Sequence, residues 1–318
     1  MTDAEDPNEL SEQGRFEDAM RAFERAFATS GDPLDLVDAA ANAEDAGLFD
    51  DAIRLVSLAL QLDPGCARAY ARLALIYQRR ERWADARAMF EKALELEAEE
   101  RPSLLCLLAV TCRRLDDYAT AERLLRRAIA MEPDNEEFHH NLGSVLQPSR
   151  PLEAVEHFRR ALAIDPAHPY TRREMAFALW SAGRLDDAIV ACELAIEADG
   201  ADAWAHFFLG SMSKEKGSLD LARYELGRAV ELDPSIGLGW ASLASVLDML
   251  GDLAGAEACF VEGIAQAPDS PGVSSGYGRF LVRAGRIIEA RQHLRRALEL
   301  NPNDRKARAA LAALDADG

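Results

Sequence analysis

Long apolar runs are missing from this sequence. No stretch approaches the roughly 20 uninterrupted apolar residues that a bilayer-spanning helix needs, so insertion into a membrane is not expected. Positive charge is scarce as well. Lys and Arg number 36 against 55 Asp and Glu, a net charge of −19. General binding to nucleic acid or to an anionic lipid surface requires the opposite sign and is not expected either. Cysteine is thin: Cys66, Cys106, Cys112, Cys192 and Cys259 are odd in number, far apart, and form no CxxC pair. Most fall where a helix calls for a small apolar residue, which predicts free, buried thiols in a reducing compartment. The opening MTDAEDPNELSEQG is acidic and lacks an apolar core, so it reads as neither a signal peptide nor an anchor. The resulting expectation is a cytoplasmic protein.

Catalytic patterns are also missing. There is no Gly-rich phosphate loop, no HExxH and no nucleophile elbow. Acidic pairs such as Asp116/Asp117 and Asp186/Asp187 stand where a second helix begins, and read as caps and first-turn acids rather than as acid/base catalysts. His139, His140, His157, His168 and His206 gather in the middle of the chain without i,i+4 pairing or nearby cysteines. They are expected to be surface and groove histidines rather than metal ligands. The sequence predicts no enzyme, no cofactor and no metal site.

What is present is a period. Ala19, Ala52, Ala86, Ala121, Ala154, Ala188, Ala222, Ala256 and Ala290 stand 33, 34, 35, 33, 34, 34, 34 and 34 residues apart. An apolar residue follows four positions on, a second small residue seven on, and usually a proline twelve on, as in Phe158/Ala161/Pro166 and Leu294/Ala297/Pro302. A fixed period of this length means one supersecondary unit stacked many times. Residues 169–200 show its anatomy. Met175, Ala176 and Leu179 recur at helical spacing, Gly183 interrupts, and Ala188, Cys192 and Ala195 resume. The unit is helix, tight turn, helix. Glycine supplies the positive φ that ends the first helix, and Gly14, Gly47, Gly217, Gly251 and Gly285 are expected to do the same. Asp63-Pro64, Asp165-Pro166 and Asp233-Pro234 stop the second helix. Small residues such as Ala74, Gly143, Ala176, Gly210, Ala244 and Gly278 let first and second helices approach closely.

These landmarks, in this order, resemble the tetratricopeptide repeat family over nearly the whole chain. The resemblance implies an all-α, right-handed superhelical solenoid of about nine helix-turn-helix repeats: a partial repeat with an acidic segment over 1–33, eight repeats over 34–302, and a capping helix over 303–318. The acidic excess is concentrated at the start, where residues 1–66 hold 16 Asp/Glu against 4 Arg. Local departures are Ala98 and Gly200 in place of the terminal proline, fraying around Pro7, and a QPSRP turn between Leu146 and Leu152 that predicts an irregular elbow.

In arrays of this family the first helices line a concave face, so residues off their packing stripe form the inner surface. That stripe holds Arg68, Arg72 and Arg79, then Arg113, then Asn141, then Tyr170, Arg173, Phe177 and Trp180, then Trp204, Phe207 and Phe208. Arginines stand at one end and aromatics in the middle, the residue types that dominate binding hot spots. Some family members grip a partner's terminal carboxylate here. Asn8, Arg68 and Arg72 fall on matching positions, but Ala4 and Asp38 do not match, and Asp38 would repel a carboxylate. The resemblance implies a non-enzymatic adaptor holding a protein segment in the concave groove, and the arginines and aromatics point to a segment that is acidic with an apolar anchor. Self-assembly through the array ends is the alternative.

Overall fold

In the computed structural model, which describes residues 5–97, 99, 101–168 and 170–316, the periodicity resolves into nineteen helices. No strand occurs among the described residues. Ala4 and Ala98, singled out above, and the first residue of the 169–200 repeat lie outside them.

Two compact units divide the chain at Asp165/Pro166. The first holds five antiparallel pairs: α1 (Pro7–Glu12) with α2 (Phe16–Ser30), α3 (Pro33–Asp45) with α4 (Phe49–Leu62), and α5 (Ala67–Arg79) with α6 (Trp83–Leu96). Its last two pairs are α7 (Pro102–Arg114) with α8 (Tyr118–Met131), and α9 (Glu136–Leu146) with α10 (Pro151–Ile164). The second unit holds α11 (Thr171–Ser181) with α12 (Leu185–Ala198), and α13 (Ala203–Lys216) with α14 (Leu219–Leu232). It continues with α15 (Gly237–Met249) and α16 (Leu253–Gln266), α17 (Pro271–Arg283) and α18 (Ile287–Leu300), then α19 (Arg305–Ala316). Within the units, odd-numbered helices touch across pairs: α3 with α5, α7 with α9, and α11 through α19 in succession. Even-numbered helices do not pack on one another to this extent among the described residues. The odd-numbered helices therefore lie on the more closely spaced side of each stack.

The predicted turns are present. Gly14, Gly47, Gly183, Gly217, Gly251 and Gly285 all have positive φ, between 73° and 85°. Two pairs make the same turn without glycine, at Glu81 (φ 57°) and Asp116 (φ 60°), a conformation that strains any residue with a Cβ. The QPSRP turn does without a left-handed residue: the amides of Ser149 and Arg150 both donate to the Leu146 carbonyl, and α9 is correspondingly short. The segment around Pro7 is less frayed than its composition predicts. Asp6 accepts the Asn8 amide at 2.8 Å and sets Pro7 at the head of a six-residue helix.

The alanines of the ruler, from Ala19 to Ala290, are all fully buried. Opposite them the small residues of the first helices meet the second helix directly. A Cβ on Gly210 would stand 2.7 Å from the Leu226 side chain and 2.9 Å from its amide nitrogen; on Gly278 it would meet Leu294 the same way. The apolar interior is a chain of clusters. Leu36, Val37, Leu55 and Ile76 anchor one in the first unit, while Phe207 with Leu226 and Phe260 with Leu281 anchor two in the second. Full burial of each such side chain contributes about 1.5–3 kcal/mol.

The thiols follow the expectation drawn from their spacing. All five cysteines are free, four buried and Cys259 partly so. Burial pushes the Cys106 and Cys192 thiols up to about 12, which keeps them protonated and unreactive.

Candidate partner-binding surface

The three arginines of α5 were expected to offer charge to a partner. Instead they face acids of α3. Arg68 pairs with Asp38; Arg72 Nη1 lies 3.2 Å from Glu44 Oε2; Arg79 Nε lies 2.8 Å from Glu44 Oε1 and its Nη2 3.0 Å from Asp45. The reason is Glu44, only 2% exposed. A carboxylate that deep needs cationic partners. Desolvation still raises its pKa above the ordinary value against the pull of Arg79 and Arg72. These arginines thus bind α5 to α3, and their charge is largely compensated within the protein. Arg113 sits in the last turn of α7. Asn141, in α9, donates its amide to Cys106 Sγ at 3.3 Å, joining α9 to α7.

The aromatic half of the stripe does converge, all within the second unit. Phe177 stacks on Phe208 with ring centroids 5.1 Å apart, and Trp180 meets both rings edge-on, at 6.3 and 6.5 Å. Trp204 continues the tiling, 5.9 Å from Phe208. These distances fit the offset and edge-to-face geometries that aromatic pairs prefer. Phe207 departs from the expectation. It is 8% exposed and belongs to the apolar core with Ala203 and Leu226, because its position lies about 100° around α13 from Phe208. Its ring still meets Trp204 at nearly a right angle and Phe208 at a tilt, both with centroids 5.6 Å apart.

The patch is held in place by polar contacts. Trp180 Nε1 donates to Glu215 at 2.8 Å. Arg173 Nη1 donates to both carboxylate oxygens of Asp202, at 2.8 and 2.9 Å, and its guanidinium lies 4.7 Å from the Tyr170 ring. Asp202 in turn caps α13 by accepting the Trp204 and Ala205 amides. Tyr170 carries a positive φ of 64° just before α11, which throws its ring outward to 59% exposure. Trp204 is 40% exposed. A cavity of about 210 Å³ opens beside them, lined by Tyr170, Arg172, Arg173, Asp199 and Asp202. The patch therefore combines rigid rings, exposed faces and a neighbouring recess.

Two of the five histidines depart from the surface and groove positions expected of them, while His140, His157 and His168 are partly exposed. His139 and His206 are buried. Both ring nitrogens of each are engaged. His139 Nε2 donates to the Pro133 carbonyl at 3.0 Å, which leaves its Nδ1 to accept from His157 Nδ1, 3.1 Å away. His206 Nε2 donates to the Gly200 carbonyl at 3.2 Å, and its Nδ1 lies 2.6 Å from Glu225. Trp240 Nε1 donates to Pro234 in the same way at 2.9 Å, and Arg308 to Pro302. A donor side chain thus holds the carbonyl six residues back, where the preceding turn would otherwise lose a partner. The signal in the sequence was the register: His139, His206 and Trp240 each stand four residues before the small residue of a first helix. No group of His, Cys, Asp and Glu suited to hold a metal occurs among the described residues. No described helix is long and apolar enough to cross a membrane.

Comparison with known proteins agrees with this architecture. Sequence profiles of the tetratricopeptide repeat match residues 65–134, 107–169, 145–206 and 249–314, more than half of the chain. Superkiller protein 3 of Schizosaccharomyces pombe is 25% identical over 189 residues, 57% of this chain and 14% of that protein. The TPR repeat-containing protein YpiA of Bacillus subtilis is 27% identical over 152 residues, 46% of this chain and 34% of its own. The chain thus spans a minor part of the curated relatives it matches. Among solved structures, the human IFIT1 dimer with PPP-AAAA aligns over 98% of this chain and 79% of its own, with a TM-score of 0.63 at 18% identity, a likeness of fold alone. With its nine helix pairs, its ruler of buried alanines and these profile matches, the chain belongs to the tetratricopeptide repeat family.

Proposed function

We propose that the protein is a non-enzymatic scaffold whose second unit holds an extended segment of a partner protein by an apolar anchor seated on the α11–α13 aromatic surface. Proteins of this repeat family generally act as adaptors for protein or peptide partners, and no catalytic family is indicated. The observation that carries the reading is the tiling of Phe177, Trp180, Trp204 and Phe208, with Trp204 and Tyr170 left facing solvent. Rings fixed by one another and by Glu215 and Asp202 lose little freedom on binding, which favours affinity. The apolar half of the expected ligand carries this proposal. The acidic half rested on Arg68, Arg72 and Arg79, whose charges Asp38, Glu44 and Asp45 already balance.

A random 12-residue peptide library selected on the purified protein tests this. Selected sequences are expected to share an aromatic or branched aliphatic anchor. Their affinity for Trp204→Ala should fall by about 2 kcal/mol or more if the residue is a hot spot, mainly through a faster off-rate and with little dependence on salt. Peptides that bind wild type and Trp204→Ala equally, with both proteins fully helical, would remove the aromatic surface from the mechanism.

A further inference from the structure

A second constellation in the same unit lies outside the aromatic patch. A cavity of about 290 Å³ opens among α13, α15, α17 and α19, and Lys214, Arg279, Arg283 and Lys306 all line it. Two acids line it too, Asp248 and Asp304, and both are engaged. Asp248 pairs with Arg283. Asp304 accepts the Lys306 and Ala307 amides, each at 2.9 Å, and a hydrogen bond from the Ser275 hydroxyl. Lys214, Arg279 and Lys306 are left without an ion pair among the described residues. Lys214 Nζ reaches only Ser245 Oγ, at 3.4 Å. It is half-buried, and burial first, then the charges of Lys306 and Arg279, lower its proton affinity. In a chain of net charge −19 whose other arginines are widely paired, three cations crowding one recess form an arrangement that an anion would relieve. The remaining wall is small and polar: Ser242, Ser245, Gly272 and Gly276 leave room for a compact group.

We propose that this cavity binds a phosphoryl group carried on a serine or threonine side chain of a partner peptide. Asp304 also lies near Arg279, yet four cations against two acids leave the cavity a cationic excess; a phosphoryl dianion offsets more of it than a carboxylate does, and its three oxygens match donors converging from several helices. Asp248 and Asp304 border the cavity, and with the overall negative charge they disfavour a polyanionic strand, so a single phosphorylated side chain fits better than nucleic acid. The peptide carrier rests on the proposed function above; the phosphate site itself does not.

Calorimetric titration of the full 318-residue chain with inorganic phosphate tests the cavity alone. Titration with acetyl-Gly-Gly-phosphoSer-Gly-Gly-amide, which has no apolar anchor, tests the carrier independently of the aromatic patch. Both are expected to bind at pH 7.5. Binding should weaken at least about tenfold in Arg279→Gln and in Lys306→Gln, and that of the phosphopeptide should weaken toward pH 5 as the phosphoserine dianion takes up a proton near pH ~6. In wild-type protein, phosphate should protect Lys214 and Lys306 from acetylation, a readout that needs no variant to fold. Phosphate binding unchanged in both variants, or no protection of either lysine, overturns the site. Equal affinity for the same peptide with Glu in place of phosphoSer overturns the phosphoryl assignment. Binding of free phosphate without the phosphopeptide, or tighter competition by a 5′-phosphorylated oligonucleotide, overturns the peptide carrier.

Discussion

Glu44 shows how one residue can set the role of several others. Its carboxylate is buried on α3, and Arg72 and Arg79 are drawn to it from α5. Burial dominates, so its folded-state pKa lies above the usual carboxylate value. A raised carboxylate pKa means that the folded state takes up a proton before the unfolded chain does. The penalty of ionised Glu44 is therefore present at neutral pH and is relieved as pH falls through the folded value. Glu257 is the opposite case, lowered by hydrogen bonds from Arg286 and Tyr277; its contribution is present above the usual carboxylate pKa and lost as pH falls through its lowered folded value. Glu44→Gln abolishes the first effect alone. Urea titrations between pH 7 and 4.5 should show wild type gaining stability relative to Glu44→Gln as pH falls; a constant difference would mean that burial does not govern this carboxylate. None of this was legible in the sequence. The pairing of Arg68, Arg72 and Arg79 depends on acids about 30 residues away, and a linear stripe shows which cations share a face but not what already sits opposite them.

Between neighbouring helices the sequence speaks more plainly, because the constraints are short-range. Positive φ at Gly183 and Gly217, and zero exposure at Ala188 and Ala222, follow from contacts within one repeat. Gly210 and Gly227 make the same point with opposite signs. Gly210 faces α14, where a Cβ would meet both the side chain and the backbone of Leu226, whereas Gly227 lies mid-helix in α14 with nothing within 4 Å of the added atom. Gly210→Ala should destabilise by about 1–3 kcal/mol through overpacking. Gly227→Ala should stabilise by about 0.5–1 kcal/mol, since alanine loses less backbone freedom in a helix. Denaturant midpoints decide this, and equal shifts of one sign would contradict the packing described. The candidate surface was legible to the same depth. Phe177, Trp180, Trp204 and Phe208 were found from spacing, but the turn of the helix that hides Phe207 beside Phe208 was missed. Likewise, the His206–Glu225 contact joins two helices of one pair, and nothing in the local spacing announces it.

At the scale of the molecule, stability is distributed over several apolar clusters rather than one. In a repeat array such clusters couple to their neighbours more than to distant ones, so unfolding need not be concerted. The chain carries the means to observe this. Of its four tryptophans, Trp180, Trp204 and Trp240 belong to the second unit and only Trp83 to the first, while helices fill both. Indole emission is thus a regional signal and far-ultraviolet ellipticity a global one. In Trp83→Phe, denaturation followed by emission should report the second unit alone and should part from the ellipticity curve; coincident curves would show a single cooperative block. The same rings proposed to receive a partner would then serve as intrinsic fluorophores, so that occupancy of the surface and integrity of the unit beneath it can be read from one spectrum without attaching a label.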